Sequence, residues 1–152
     1  MFRLPLVLIF LSVLSVYAQL PTGTETATPL NTAIVRAGKK YIGDMSDFPE
    51  LNDDQYLEVV RTPGLFGQMT PGNSMKWDAT EPTRGEFNFN NGDAIVEIAS
   101  SAGQLMRGHT CVWHNQLPSW VSGGGFDADE LTDIIEAHVT GVVGHWAGQI
   151  CE

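Results

Sequence analysis

Residues 73–120 read NSMKWDATEPTRGEFNFNNGDAIVEIASSAGQLMRGHTCVWHNQLPSW. Two polar and aromatic clusters, NSMKWDATEP from Asn73 and RGHTCVWHNQLPSW from Arg107, each follow a strand-like run, over 66–70 and 105–112. Between them Ile95, Ile98, Ala99 and Ala102 recur at i, i+3, i+4 and i+7 and Gly103 supplies a stop, which predicts a helix over 92–102. Strand, helix, strand is the pattern of βα units around a parallel sheet. The clusters also share a chemistry. A sugar ring offers hydroxyls that both donate and accept hydrogen bonds and a flat C–H face, so its site calls for Asn, Lys, His and Gln beside Trp. Asn73, Lys76, His109, Trp113 and Gln116 supply that mixture.

The alternation continues on both sides. A first strand is expected over 39–43. Asn52 then reads as a helix N-cap with Gln55 at N3 and Leu51 facing Tyr56, and Pro63 ends that helix by disfavouring helical geometry at Thr62. Downstream, Asp127 and Glu130 form a capping box. Leu131, Ile134, Ile135, His138, Val139, Val142, Val143 and Trp146 make one apolar stripe, Gly148 closes the helix, and 149–152 begin a fourth strand.

The N-terminus is of another kind. Arg3 precedes an apolar run over 4–16 and a small-residue exit at Ala18, the pattern of a secretory signal peptide over 1–18. That run is shorter than the roughly 20 residues of a membrane span. Residues 19–36, with alternating Thr and Pro near the start, are expected to be a mobile leader, and 37–152 the folded domain. A formal net charge of −10 argues against nucleic acid as a partner and otherwise speaks to solubility. His109 and His114 lie five apart on an extended segment with no third ligand at a recognised spacing, so no metal site is expected. Cys111 and Cys151 could pair in an oxidising compartment or remain buried thiols; the residues leave both open.

The two motifs, NSMKWDATEPTRGEFNF from Asn73 and RGHTCVWHNQLPSWV from Arg107, resemble glycoside hydrolase family ten, the secreted endo-1,4-beta-xylanases, with a likeness running from about Lys39 to the last residue. The resemblance implies the N-terminal part of a (β/α)8 TIM barrel, about three βα units and the start of strand four, where a whole barrel takes about 250 residues. It implies that Asn73, Lys76, His109 and Trp113, with Gln116 close by, bind xylose units on the non-reducing side of the scissile bond. Xylan or xylo-oligosaccharides would be the partners, without a cofactor and with no membrane contact after signal removal, and the complete protein would be a monomer. Members hydrolyse with retention, using two glutamates about 5–5.5 Å apart. The resemblance sets the acid/base and the nucleophile downstream of Glu152, so no catalytic residue is expected here, and Asp78, Glu81 and Glu86 are not taken as an acid/base pair. A portion of a barrel with unpaired strand edges is expected to be marginal in stability. Gly72 stands where many members carry a glutamate that touches a distal sugar.

Plainer readings exist for the same residues. Lys76 could be a solvated loop lysine, Asn73 a turn residue after Gly72, and Trp77, Trp113 and Trp120 core aromatics. His138 and His145 read best as satisfied packing histidines. The alternative to a xylanase portion is a secreted, non-catalytic carbohydrate-binding remnant.

Overall fold

The computed structural model describes residues 27–151. In chain order the elements are α1 Leu30–Arg36, β1 Gly43–Ser46, a turn of 3-10 helix Glu50–Asn52, α2 Asp54–Val60, β2 Gln68–Pro71, α3 Trp77–Thr80, α4 Asn90–Ser101, β3 Leu105–Met106, α5 Ser119–Ser122 and α6 Ala128–His145. The strands form one parallel sheet in the order β1-β2-β3, with Ser46 opposite Pro71 and Met69 opposite Met106. Cys151 N–H donates to the Met106 carbonyl at 3.0 Å, so the chain after α6 returns beside β3 where a fourth strand was expected. Parallel neighbours joined by helical crossovers are βα units, as expected for the start of a (β/α)8 barrel.

The expected helices form with small shifts of boundary. Asp127 caps α6 through the N–H groups of Asp129 and Glu130, and the Glu130 carboxylate reaches back to Asp127 N–H. The buried face of α6 is narrower than its sequence stripe: Ile134, His138, Val142 and Trp146 are buried, while Leu131 and Val143 face outward. At α2 the cap is Asp53 instead of Asn52. The Asp53 carboxylate accepts from Gln55 and Tyr56 N–H, whereas Asn52 is used up in the preceding 3-10 turn.

Three expectations need correction. The first strand lies at Gly43–Ser46, later than 39–43, because its inward residues are polar: Ser46 is buried and donates to Asp44 at 2.5 Å, while Met45 is 66% exposed. The third strand is only two residues long. Beyond Arg107, whose N–H still donates to Met69, the chain leaves the sheet, and the Cys111 carbonyl is taken by His138 instead of a strand partner. Finally, the leader expected over 19–36 ends sooner, since Leu30–Arg36 are helical. Asn31 stitches this helix down: its N–H donates to Gly64 and Leu65, and its side-chain oxygen accepts from Ile42 N–H at 3.0 Å. The helix buries no residue, so no apolar periodicity could reveal it. The expected signal peptide and residues 19–26 lie outside the described residues.

The core gathers Met69, Met106, Ile95, Ala99, Val142 and Trp146 between sheet and helices. Trp146 is held at its edge by a hydrogen bond to Asp93 at 2.8 Å, with Phe89 in T-shaped contact at 5.0 Å between ring centroids. Its ring fills the space over Gly92, where a Cβ would lie 2.4 Å from Cζ2. Gly92→Ala therefore sets two effects against each other. Helix propensity favours alanine by about 1 kcal/mol, while overpacking against a rigid buried ring costs about 1–3 kcal/mol. We expect a net loss of about 1 kcal/mol in chemical denaturation, read from the unfolding midpoint; a raised midpoint would contradict this packing.

Candidate functional site

The site is built on the segments that leave the C-terminal ends of β2 and β3. Pro71 ends β2, and the chain turns through Gly72–Lys76 into α3. Lys76, the residue before α3, is 7% exposed, and its ammonium is the junction of the site. Nζ donates to Asn73 Oδ1 at 3.1 Å and to Gln116 Oε1 at 2.5 Å, and it stands 4.4 Å from the centre of the Trp113 ring. No carboxylate pairs with Lys76 among the described residues. A cation held by two amide oxygens and an aromatic face keeps its attraction for further oxygen ligands, because neutral acceptors do not cancel its charge.

His109 lies within electrostatic reach of this centre. Burial, and then the charges of Lys76 and Arg107, hold its imidazole pKa below the ordinary value. The ring is therefore neutral near pH 7 and both donates and accepts a hydrogen bond. Its peptide bond to Thr110 is cis. Gln116 takes a positive φ of 51°, and its carbonyl accepts from Asp78 N–H at 3.1 Å, which fixes the second segment against the first. Trp113 is 38% exposed, so part of the indole remains open to contact with an apolar surface.

Thus four of the five expected residues meet through one ammonium, and the fifth stands near it. A recess of about 270 Å³ opens beside them, lined by Asp47, Asn73, Ser74, Asp78, Asn91 and Gln116. His109 also borders a more apolar cavity of about 500 Å³ with Met75, Val142 and Trp146. Among the described residues no three His, Cys, Asp or Glu side chains come together as a metal cluster. Cys111 and Cys151 are both free. Burial pushes the Cys111 thiol pKa up, and Cys151, which a buried-thiol reading would place inside, is exposed with its Sγ 3.2 Å from the Met106 carbonyl.

Asp47 is the residue that sequence reasoning missed. It follows β1, is 5% exposed, and accepts from the N–H groups of Phe48, Asn73 and Ser74 and from the Ser74 hydroxyl. Burial works to raise its pKa, but the Ser74 hydroxyl and the three N–H donors outweigh it and hold the carboxyl below its ordinary value. Asp47 thereby pins the backbone that presents Asn73.

Of the carboxylates of the first motif, Asp78 lines the recess, with its Oδ1 buried and without a hydrogen-bond partner, whereas Glu81 is tied into the core. Glu81 is buried and accepts from Trp77 Nε1 at 3.1 Å and Gly85 N–H at 2.7 Å, with His138 Nδ1 at 2.8 Å. Trp77 is core. Trp120 packs edge-on against it and donates to the Glu81 carbonyl. His145 meets Asp93 at 2.7 Å and stacks on Phe89.

The sequence profile of glycosyl hydrolase family 10 matches residues 29–152. The chain belongs to glycosyl hydrolase family 10. Its relatives include an endo-1,4-beta-xylanase of Agaricus bisporus, 53% identical over 88% of this chain and 39% of that protein. Endo-1,4-beta-xylanase A of Phanerodontia chrysosporium is 51% identical over 84% of this chain and 32% of that protein. Among solved structures, xylanase 10B of Thermotoga petrophila, in complex with xylobiose, superposes with a TM-score of 0.74 at 34% identity, covering 80% of this chain and 37% of that one. An endo-1,4-beta-xylanase of Penicillium canescens gives 0.75 at 34% identity, with the same coverage of both chains. The chain thus spans between 32% and 39% of the length of these four family 10 proteins. The three strands described here are a portion of the family 10 barrel. At Gly72 a Cβ would meet the Met45 thioether at 2.8 Å, the flexible end of an exposed side chain, so the position has room for a larger residue once Met45 swings aside.

Proposed function

We propose that this chain carries part of the xylan-binding surface of a secreted endo-1,4-beta-xylanase, with Asn73, Lys76, His109, Trp113 and Gln116 gripping xylose units. The observation that carries this reading is the Lys76 ammonium, held by two side-chain amides and an indole face at the mouth of two βα units. Each contact suits a sugar: the ammonium donates to hydroxyls, the neutral His109 ring donates and accepts, and the Trp113 face receives the C–H side of the ring. The bond-breaking carboxylates are not among these residues. Glu81 is committed to Trp77, Gly85 and His138, which supports the reading that the acid/base and nucleophile glutamates belong to a segment after Glu152. The expected signal peptide over 1–18 accords with action on an extracellular polymer.

Calorimetric titration of the chain with xylobiose and xylotriose tests this. Binding with a Kd of about 1 mM, or about 4 kcal/mol, is expected, without release of reducing sugar from xylan. An absence of heat at tenfold higher sugar concentration rejects the binding reading. Xylan hydrolysis by the pure chain rejects the assignment of the catalytic residues to a downstream segment.

A further inference from the structure

His138 lies on α6, outside both motifs, yet it joins them. It is fully buried, with Nε2 3.1 Å from the Cys111 carbonyl and Nδ1 2.8 Å from Glu81 Oε2. Its ring stacks on Trp77 with centroids 4.0 Å apart and planes 13° from parallel, and lies 6.2 Å from Phe87. Trp77 adjoins Lys76, and Cys111 stands two residues before Trp113. The imidazole therefore spans the two segments whose side chains form the Lys76 junction.

The bonding pattern counts protons. A carbonyl only accepts, so Nε2 carries a hydrogen. Glu81 Oε2 already accepts from Trp77 Nε1, and a neutral ring with its one hydrogen on Nε2 would aim the bare Nδ1 lone pair at a carboxylate 2.8 Å away. Two buried acceptors do not hold such a contact; one more proton must lie between them, on Nδ1 or on Oε2. We propose that His138 and Glu81 share one proton, and that this bridge makes them positioning residues that set the spacing between Lys76 and Trp113.

The surroundings leave Glu81 and His138 to answer one another. Glu81 is the charged group that touches the ring; the Trp77 and Phe87 faces are neutral, and burial keeps the Cys111 thiol protonated. Burial lowers the His138 pKa, and the hydrogen bond and charge of Glu81 and the Cys111 carbonyl oppose that without reversing it, so the shared proton stands on the donor and acceptor geometry.

The inference rests on the sugar-binding reading only for its consequence, and the test separates the two. In the chain labelled with 15N-histidine, NMR reads the protonation of both His138 nitrogens between about pH 5 and 8, and carboxyl 13C signals read Glu81. The expected result is one shared proton lost in a single transition, with the Trp113 indole and Lys76 amide signals moving in the same transition. Glu81→Gln supplies an amide N–H to Nδ1 but gives up the bond that Oε2 accepts from Trp77 Nε1, so its fold is checked first by circular dichroism; in the folded variant the transition disappears and xylobiose affinity falls about fivefold at neutral pH. His138→Asn moves the Trp113 and Lys76 signals in the same sense. An ionised Glu81 facing an unprotonated Nδ1 across the whole range overturns the proposal, as do Trp113 and Lys76 signals indifferent to Glu81→Gln. If the unsubstituted chain binds no xylobiose, the functional reading fails while the NMR measurements still decide the bridge.

Discussion

Lys76→Met is expected to weaken xylobiose binding about 100-fold, a loss of about 2.7 kcal/mol, while leaving the chain as stable as before. The two halves of that expectation have different causes. Hydrogen bonds to an ionised donor contribute about 1.5–3 kcal/mol, and Lys76 is the only cation at the junction of Asn73, Gln116 and Trp113 among the described residues. Folding, by contrast, gains little from a buried ammonium that no carboxylate neutralises, because desolvation offsets its contacts. Methionine keeps the length of the stem and stacks on Trp113 through its thioether. Calorimetry and thermal melting on the same sample separate the effects. A variant that still binds with millimolar affinity would remove Lys76 from the site, and one that unfolds would make the lysine structural.

Asp47→Ala is expected to act the other way, on the fold first. Its carboxylate satisfies three backbone N–H groups and one hydroxyl, two of the N–H groups belonging to Asn73 and Ser74. Alanine orphans these donors in a nearly dry environment, at about 1–3 kcal/mol for each donor that water cannot reach. A total of about 3 kcal/mol is a large share of the stability of a small domain. The midpoint of urea unfolding should fall accordingly, and the Asn73 amide should exchange faster with solvent. The sign of the pH dependence follows from the depressed pKa. The contribution of Asp47 is fully present above the ordinary carboxyl value of 3.8 and is lost as pH falls through its lower folded value. The unsubstituted chain should therefore lose stability on acidification below that value, and Asp47→Ala should show a shallower decline. Equal slopes would mean that Asp47 is not the group responsible.

What could be read in the sequence divides along the range of the interactions. The α6 capping box closes over three residues, from Asp127 to Glu130, so its pattern lies in one short window. The α4 helix has a repeating apolar face and a glycine stop, with Gly103 at φ 68°. The β1 strand defeats the same reasoning because it turns Ser46 inward and Met45 outward, reversing the usual apolar pattern. Helix α1 depends on Asn31, whose partners lie at Ile42, Gly64 and Leu65, and no local rule anticipates that. The candidate site follows the same division. Lys76 and Gln116 are 40 residues apart, and only the combined motifs suggested that they meet. Asp47 reaches across 26 residues to Asn73 and belongs to neither motif; an acidic residue just past a strand end was its only signal.

The depressed basicity of His109 bears on the medium in which the surface can operate. An ordinary imidazole acquires its second proton as the surroundings turn mildly sour, and beside Lys76 and Arg107 that proton would place a third positive charge among the groups proposed to receive hydroxyls. The ring would then have lost its capacity to accept. Because burial and its basic neighbours shift that event to lower pH, the donors and acceptors proposed to meet a carbohydrate keep their pattern past the point at which a solvent-exposed histidine would have changed character, and adhesion should outlast it.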